Sequence, residues 1–242
     1  MKRHCAPRYT CFVLRIPTEK EYSHERLGER FETALSAYDT QRRLEVLIDR
    51  FLARKLEGRT ALDVGAGLGF FSQRLQQRGA SVTATDIGES MLHKVKETVG
   101  CHCECIDALS LAEHFGPNRF DVVLSSECVE HTPAPMEAVR QMAVVLKPGG
   151  YLALSTPNIL WYPVVRGATT LKLRPFDGLE NFSSFSLVRR TLKEAGVTVL
   201  EEQGLHLFPF QLPFHALSRW CDDHLQRFRK LMINLCVLGQ KQ

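Results

Sequence analysis

The stretch Leu62-Asp63-Val64-Gly65-Ala66-Gly67-Leu68-Gly69 constrains this chain more than any other. A short apolar run, residues 60–64, enters a turn with glycine at every second position. The amphipathic segment 70–78 leaves it. A strand that feeds a helix through such a turn is the first arm of a βαβ unit. The glycines permit a tight turn and let a ligand approach the backbone. The turn does not by itself identify the ligand, because dinucleotide enzymes use similar loops.

The alternation continues downstream. Strands are expected at 81–85, 101–106, 120–125 and 151–155, and helices at 89–99 and 135–146, the last opened by Pro135. Lys147-Pro148-Gly149-Gly150 reads as the turn before the fifth strand. Strands separated by helices mean right-handed crossovers on a parallel sheet. The pattern then changes. Residues 157–182 hold Trp161, Tyr162, Pro163, Pro175 and Phe176 without clear periodicity, and read as an irregular lid. A helix over 184–195, a strand over 197–201, a helix over 213–229 and a last strand over 231–238 follow. The final two strands lack a full crossover and are expected to pair antiparallel. Upstream, Phe31, Leu35, Tyr38, Leu44, Leu47, Ile48 and Phe51 carry helical spacing over 23–54, with a break expected near residues 38–40. The expected fold is α/β: a Rossmann-like, seven-stranded, mostly parallel sheet with the last strand antiparallel, helices on both faces, and a small N-terminal helical cap. The cap and tail take residues 1–55, and 56–242 form the ligand-binding domain with the lid.

Composition sets limits. The chain has 242 residues, 44% hydrophobic, with a net charge of +4. A mild charge spread along the chain, with a modest cluster over 219–230, argues against a polynucleotide partner. No run reaches the roughly 20 apolar residues of a membrane span. Residues 1–8 are basic without an apolar continuation and read as a frayed tail. The eight cysteines read as free thiols of a reducing cytoplasm. Cys101, Cys103 and Cys105 alternate, which places them on one face of a strand. They lack the spacing of common zinc knuckles and read as small apolar core residues.

Three acids fall at successive strand ends. Asp63 stands at the leading edge of the glycine loop, where a carboxylate suits a cationic amine and repels a pyrophosphate. Asp86 ends the second strand, about 20 residues on, where a carboxylate accepts bonds from both ribose hydroxyls. Asp107, followed by Ala108, ends the third and suits an adenine amine.

With LDVGAGLG, Asp86 in TATDIG, Asp107-Ala108, FDVVLSSECVEH and LKPGGYLALSTPN in place, the chain resembles the class I methyltransferases that use S-adenosylmethionine (SAM). The likeness covers residues 40–205 and is strongest over 60–156. It implies that Gly65, Ala66 and Gly67 line the methionine part of SAM, Asp86 and Ile87 the ribose and adenine, Asp107 and Ala108 the adenine edge, and Ser126 the methionine side. Glu127-Cys128-Val129-Glu130-His131 follows the fourth strand. On one turn of helix, Glu127, Glu130 and His131 project to one side and would offer two carboxylates and an imidazole to Mg²⁺ or another divalent cation. This run is similar to that of the ubiquinone-biosynthesis O-methyltransferases and of the small-RNA 3′-end ribose methyltransferases. In the second group a further histidine joins the metal, for which His206 is a distant candidate. The ubiquinone-type likeness also implies that Arg43 pairs with the SAM carboxylate, and it includes Gly204-Leu205-His206.

The expected activity is methyl transfer from SAM to a small-molecule acceptor, at a hydroxyl of an aromatic or quinone-like metabolite. His131 is the candidate general base. An RNA ribose 2′-O-methyltransferase with a divalent metal is the second reading, and a non-catalytic SAM-binding protein the third. Phe182, Phe185, Phe208, Phe210 and Phe214 make the acceptor side aromatic, by packing or by contact with substrate. Peripheral contact with a membrane is compatible with an apolar lid.

Overall fold

The computed structural model describes residues 37–171, 178–210 and 213–242. The tail at 1–8, the part of the expected helix before residue 37, and Pro175 and Phe176 of the lid lie outside the described residues. Seven strands form one sheet: β1 (Thr60–Val64), β2 (Ser81–Asp86), β3 (His102–Cys105), β4 (Phe120–Ser126), β5 (Leu146–Pro157), β6 (Val197–Leu205) and β7 (Asn234–Lys241). Their order is β3-β2-β1-β4-β5-β7-β6. Pairing is parallel from β3 to β5, and β7 runs antiparallel to both its neighbours. This is the expected sheet.

The central strands read as continuous apolar runs because both faces are covered. One face packs Ala61, Ala84, Val122 and Leu124 against Leu47, Ile48, Phe51, Leu75 and Val95. The other packs Leu62, Val64, Val123 and Leu152 against Val139, Met142, Val188 and Leu192. The helices are α1 (Ala37–Leu44), α2 (Phe70–Gln77), α3 (Glu89–Thr98), α4 (Leu111–Phe115), α5 (Pro135–Val145), α6 (Tyr162–Thr170), α7 (Phe185–Glu194) and α8 (His215–His224). α1 continues as a wide, π-helical turn over Glu45–Phe51. Leu47, Ile48 and Phe51, fully buried, fasten it to the sheet at about 1.5–3 kcal/mol each.

Several expectations need correction. Among the described residues no break falls at 38–40: Asp39 and Thr40 are buried with polar partners and lie within the helix Ala37–Leu44. β5 begins at Leu146 rather than after the Lys-Pro-Gly-Gly segment. The pairing Phe120↔Leu146 jumps to Val122↔Tyr151, so those residues form an irregularity within the strand. The lid is partly regular: a 3-10 turn, Ile159–Trp161, leads into α6. α6 buries none of its residues, so it needs no apolar stripe and leaves no periodic signal. Cys101 is buried against Val95, but Cys105 is exposed, since β3 is an edge strand covered only near its start.

Two features of the topology place the site. The strand order reverses between β1 and β4, which opens a crevice at their carboxyl ends. β6 and β7 are antiparallel neighbours, so the chain between them, with α8, stays at the carboxyl end of β6. There Tyr38 Oη of α1 donates to the carbonyl of His215, at 3.0 Å.

Candidate active site

The crevice is a cleft of about 680 Å³, open to solvent on one side. Its wall follows the strand ends in turn: Gly65 and Gly67 after β1, Asp86 and Ile87 at β2, Asp107 and Ala108 after β3, then Glu127, Cys128 and His131 after β4. The glycine loop is strapped to β2, with Gly65 N and Ala66 N donating to the Thr85 carbonyl at 2.8 and 2.9 Å. Gly65 sits at φ +75, and a Cβ there would overlap the Cys128 side chain. Only glycine fits this left-handed, crowded position without strain.

Asp86 is anchored by main-chain donors. Its Oδ1 accepts from Gly88 N and its Oδ2 from Gly67 N, both at 2.9 Å. Each carboxylate oxygen has two lone pairs, so acceptor capacity remains for ribose hydroxyls. Asp107 Oδ1 accepts from Leu109 N at 2.9 Å, which turns the start of the next loop under the cleft. Asp63 departs from expectation. It is buried beneath the loop, accepts from Ser72 Oγ at 2.6 Å, and is not part of the cleft wall. Burial, with the Asp86 charge adding to it, pushes its carboxyl up to about 7. It ties β1 to α2 rather than facing an amine.

Arg43 and Ser126 meet beside the cleft. Arg43 Nη1 donates to Ser126 Oγ at 2.7 Å, and its Nε and Nη2 donate to Asp39 Oδ2 at 3.2 and 2.8 Å. The guanidinium lies 5.8 Å from the centre of the Phe71 ring, in the first turn of α2. Burial pushes Asp39 up, but Arg43 and His206 beside it hold its carboxyl down at about 2.

The expected helical turn of acids is absent. Glu127 takes φ 52, in the left-handed region, which breaks the run, and only Val129–His131 turn as a 3-10 helix. The three side chains therefore do not line up on one helical face. Glu127 feels the charge of Arg43, which lowers its carboxyl against the effect of burial. Glu130 is buried and accepts from Thr156 Oγ1 at 3.2 Å. His131 Nε2 stands 3.9 Å from Glu130 Oε1. Burial pushes both carboxyls up, and each raises the other or is raised by a neighbouring acid. Among the described residues no three His, Cys, Asp or Glu side chains are grouped to hold a metal ion. His206 does not join this region; its Nε2 bonds Asp39 at 2.9 Å. The donor set does not fit Mg²⁺.

SAM fits better. The glycine cradle leaves no Cβ in the ligand's way, and two carboxylates stand at the ends of β2 and β3. Glu127 Oε1 is buried in the cleft wall without a hydrogen-bond partner in the protein, an acceptor of the kind a cationic amine would satisfy. His131 Nδ1 lies 2.9 Å from the carbonyl of Leu179. A carbonyl only accepts, so Nδ1 carries the proton and Nε2 the lone pair of the neutral ring. Sequence reasoning missed Cys128, which sets the size of the loop's central position, and Leu179, which sets the tautomer. Neither carries a local signal. The aromatic residues divide: Phe185 is core, Phe182 packs edge-on against Tyr162 at 5.6 Å, and Phe208 and Phe214 are exposed.

Comparison with known proteins gives the family. Residues 62–154 match a family model described as a methyltransferase domain. The ubiquinone biosynthesis O-methyltransferase of Pseudomonas paraeruginosa is 36% identical over 166 residues, covering 64% of this chain and 71% of that protein. The protein of the same name from Coxiella burnetii is 31% identical over 176 residues, covering 68% of this chain and 74% of its own length. Among solved structures, the magnesium protoporphyrin IX methyltransferase of Synechocystis PCC 6803 superposes with a TM-score of 0.63 at 17% identity, over 88% of this chain and 87% of that one. Its likeness speaks for the fold alone. The chain belongs to the class I SAM-dependent methyltransferases and, within them, is similar to the ubiquinone biosynthesis O-methyltransferases.

Proposed function

We propose that this methyltransferase acts on a hydroxyl oxygen of a small aromatic or quinone-like molecule, with His131 as general base. The observation that carries the reading is His131 itself: it lines the cleft, and the Leu179 carbonyl holds its Nδ1–H so that Nε2 is the basic nitrogen. Gly65, Ala66 and Gly67 would hold the methionine part of SAM, with Ser126 and Arg43 beside it. Asp86 and Ile87 would hold the ribose and adenine, and Asp107 and Ala108 the adenine edge. When bound, SAM supplies a methyl group already activated on a sulfonium. The chain's own task is to orient the acceptor oxygen in line and keep competing water out. Nε2 of His131 takes the hydroxyl proton as the oxygen becomes nucleophilic. Glu130, whose carboxyl is pushed up by burial and by the neighbouring Glu127 charge, stands behind the ring, with its Oε1 3.9 Å from His131 Nε2.

A ribose methyltransferase is less well supported. Two of the basic side chains near the C-terminus are engaged within the protein, Arg219 with Glu45 and Asp223, and Arg229 with Glu202, which leaves Arg227 and Lys230 as the remaining exposed cations of that cluster. Two exposed cations are a small footing for a phosphate backbone. Exposed Leu160, Val164 and Leu171 near the lid, joined to Leu231 through Trp161 Nε1, which donates to its carbonyl at 2.9 Å, suit an apolar acceptor delivered from a membrane surface. No helix among the described residues is long and apolar enough to cross a membrane.

The test is transfer of labelled methyl from SAM to a panel of catechols, phenols and carboxylic acids, with product mass and fragmentation read out. A methyl ether supports the reading. Methylation of carboxylates or amines, with phenols inert, overturns it.

A further inference from the structure

A second concentration of buried charge lies outside the cleft. Asp39, Arg42 and Arg43 on α1, His206 at the end of β6 and Asp222 on α8 are all withdrawn from water. Charge buried without a use is costly, and the arrangement of these groups suggests one. Arg43 uses Nε and Nη2 on Asp39 Oδ2, and one N–H of Nη1 on Ser126. Nη2 also reaches Thr40 Oγ1 at 3.5 Å. A guanidinium has five N–H groups, so one Nη1 N–H is left beside Ser126, next to Glu127 of the cleft wall.

That orientation is held from behind. The other oxygen of Asp39 bonds His206 Nε2 at 2.9 Å, which fixes the plane of the carboxylate. An ionised carboxylate only accepts, so His206 donates from Nε2. His206 is itself pinned by its main chain. It takes φ 62, unusual outside glycine, and its N–H donates to Asp222 Oδ1 at 2.8 Å. Arg42, the neighbour of Arg43, clasps α8 from the other side through Asp223 at 2.8 Å. The connection between β6 and β7 thus reaches across to set one side chain on α1.

We propose that Asp39 and His206 are positioning residues for Arg43, holding its guanidinium at the end of β4 so that the remaining Nη1 N–H meets the carboxylate of the cofactor's methionine part. This rests on the SAM reading above. A purely structural clasp between α1 and α8 would make the same contacts but would not discriminate between ligands.

The experiment compares two ligands by calorimetry. S-adenosylhomocysteine carries the carboxylate; 5′-methylthioadenosine has the same nucleoside and lacks the amino-acid part. His206→Asn keeps a residue tolerant of the left-handed backbone but cannot reach Asp39. It should weaken S-adenosylhomocysteine by about tenfold and leave 5′-methylthioadenosine within about twofold. His206→Gln, whose amide reaches about as far as Nε2, should restore most of the loss. If His206→Asn fails to fold, Asp39→Asn is read in its place with the same expected selectivity. Equal weakening of both ligands, or no weakening of either, overturns the positioning role. An unsubstituted chain that binds neither ligand overturns the SAM reading itself, and the positioning role with it.

Discussion

Gly65→Ala tests the architecture of the loop. Gly65 sits at φ +75, with Cys128 Cβ 2.5 Å from where the new Cβ would be built. The left-handed conformation costs a non-glycine residue about 1–2 kcal/mol, and forcing a methyl against a packed neighbour about 1–3 kcal/mol. Together they should remove about 3 kcal/mol, which lowers the melting temperature of a chain this long by about 6–12 °C. Two parts of the cost can be separated. Cys128→Gly removes both atoms in the way and leaves the dihedral strain. In that background Gly65→Ala should cost only the first part, so the double-mutant cycle has a coupling of about 1–3 kcal/mol in favour of the pair. Urea unfolding of the four proteins measures it, and S-adenosylhomocysteine titration follows the cleft in parallel. A Gly65→Ala protein as stable as the unsubstituted chain refutes the reasoning. So does a cycle with no coupling, since the loop would then not be pressed against Cys128.

Three further outcomes follow from the geometry. His131→Ala should lower kcat by about 10²–10⁴-fold if the ring is the general base, with affinity for S-adenosylhomocysteine unchanged; an equal fall in both points to a wall residue only. Asp63, pushed up to about 7 in the folded chain, favours the protonated fold, so its contribution is fully present below an ordinary carboxylate's range and is lost as pH rises toward 7. That loss is on the order of 4 kcal/mol. Glu127 and Glu130 are raised as well and add to the slope, so Asp63→Asn should flatten part of the decline in urea midpoint between about pH 4 and 7; an unchanged slope counts against it. If the exposed apolar face meets a membrane, the double substitution Leu160→Asp and Leu171→Asp should cut sedimentation with anionic vesicles by about threefold or more, without moving the melting temperature; unchanged sedimentation removes that role.

Much of the fold is written locally. The apolar runs of β1, β2 and β4, the glycine turn, and the acids at the ends of β2 and β3 each depend on residues within a few positions, so periodicity and turn chemistry reveal them. α6 was not legible, because an element that buries nothing imposes no pattern. The extra length of β6 and the start of β5 were also hidden, since pairing partners rather than propensity decide where a strand stops.

The site divides in the same way. The sequence alone determined that a SAM-type cleft would form where β1, β2 and β3 end, because the loop and the strand-end acids are local and periodic. The tertiary structure decided what the remaining side chains do. One left-handed residue, Glu127, breaks the turn that would have aligned Glu127, Glu130 and His131. Ser72 claims Asp63, and Leu179 sets the proton on His131. Asp39 and His206, 167 residues apart, close on each other behind Arg43. Backbone conformation at a single position, and contacts between distant segments, are outcomes of global packing, so no local pattern of residues announces them.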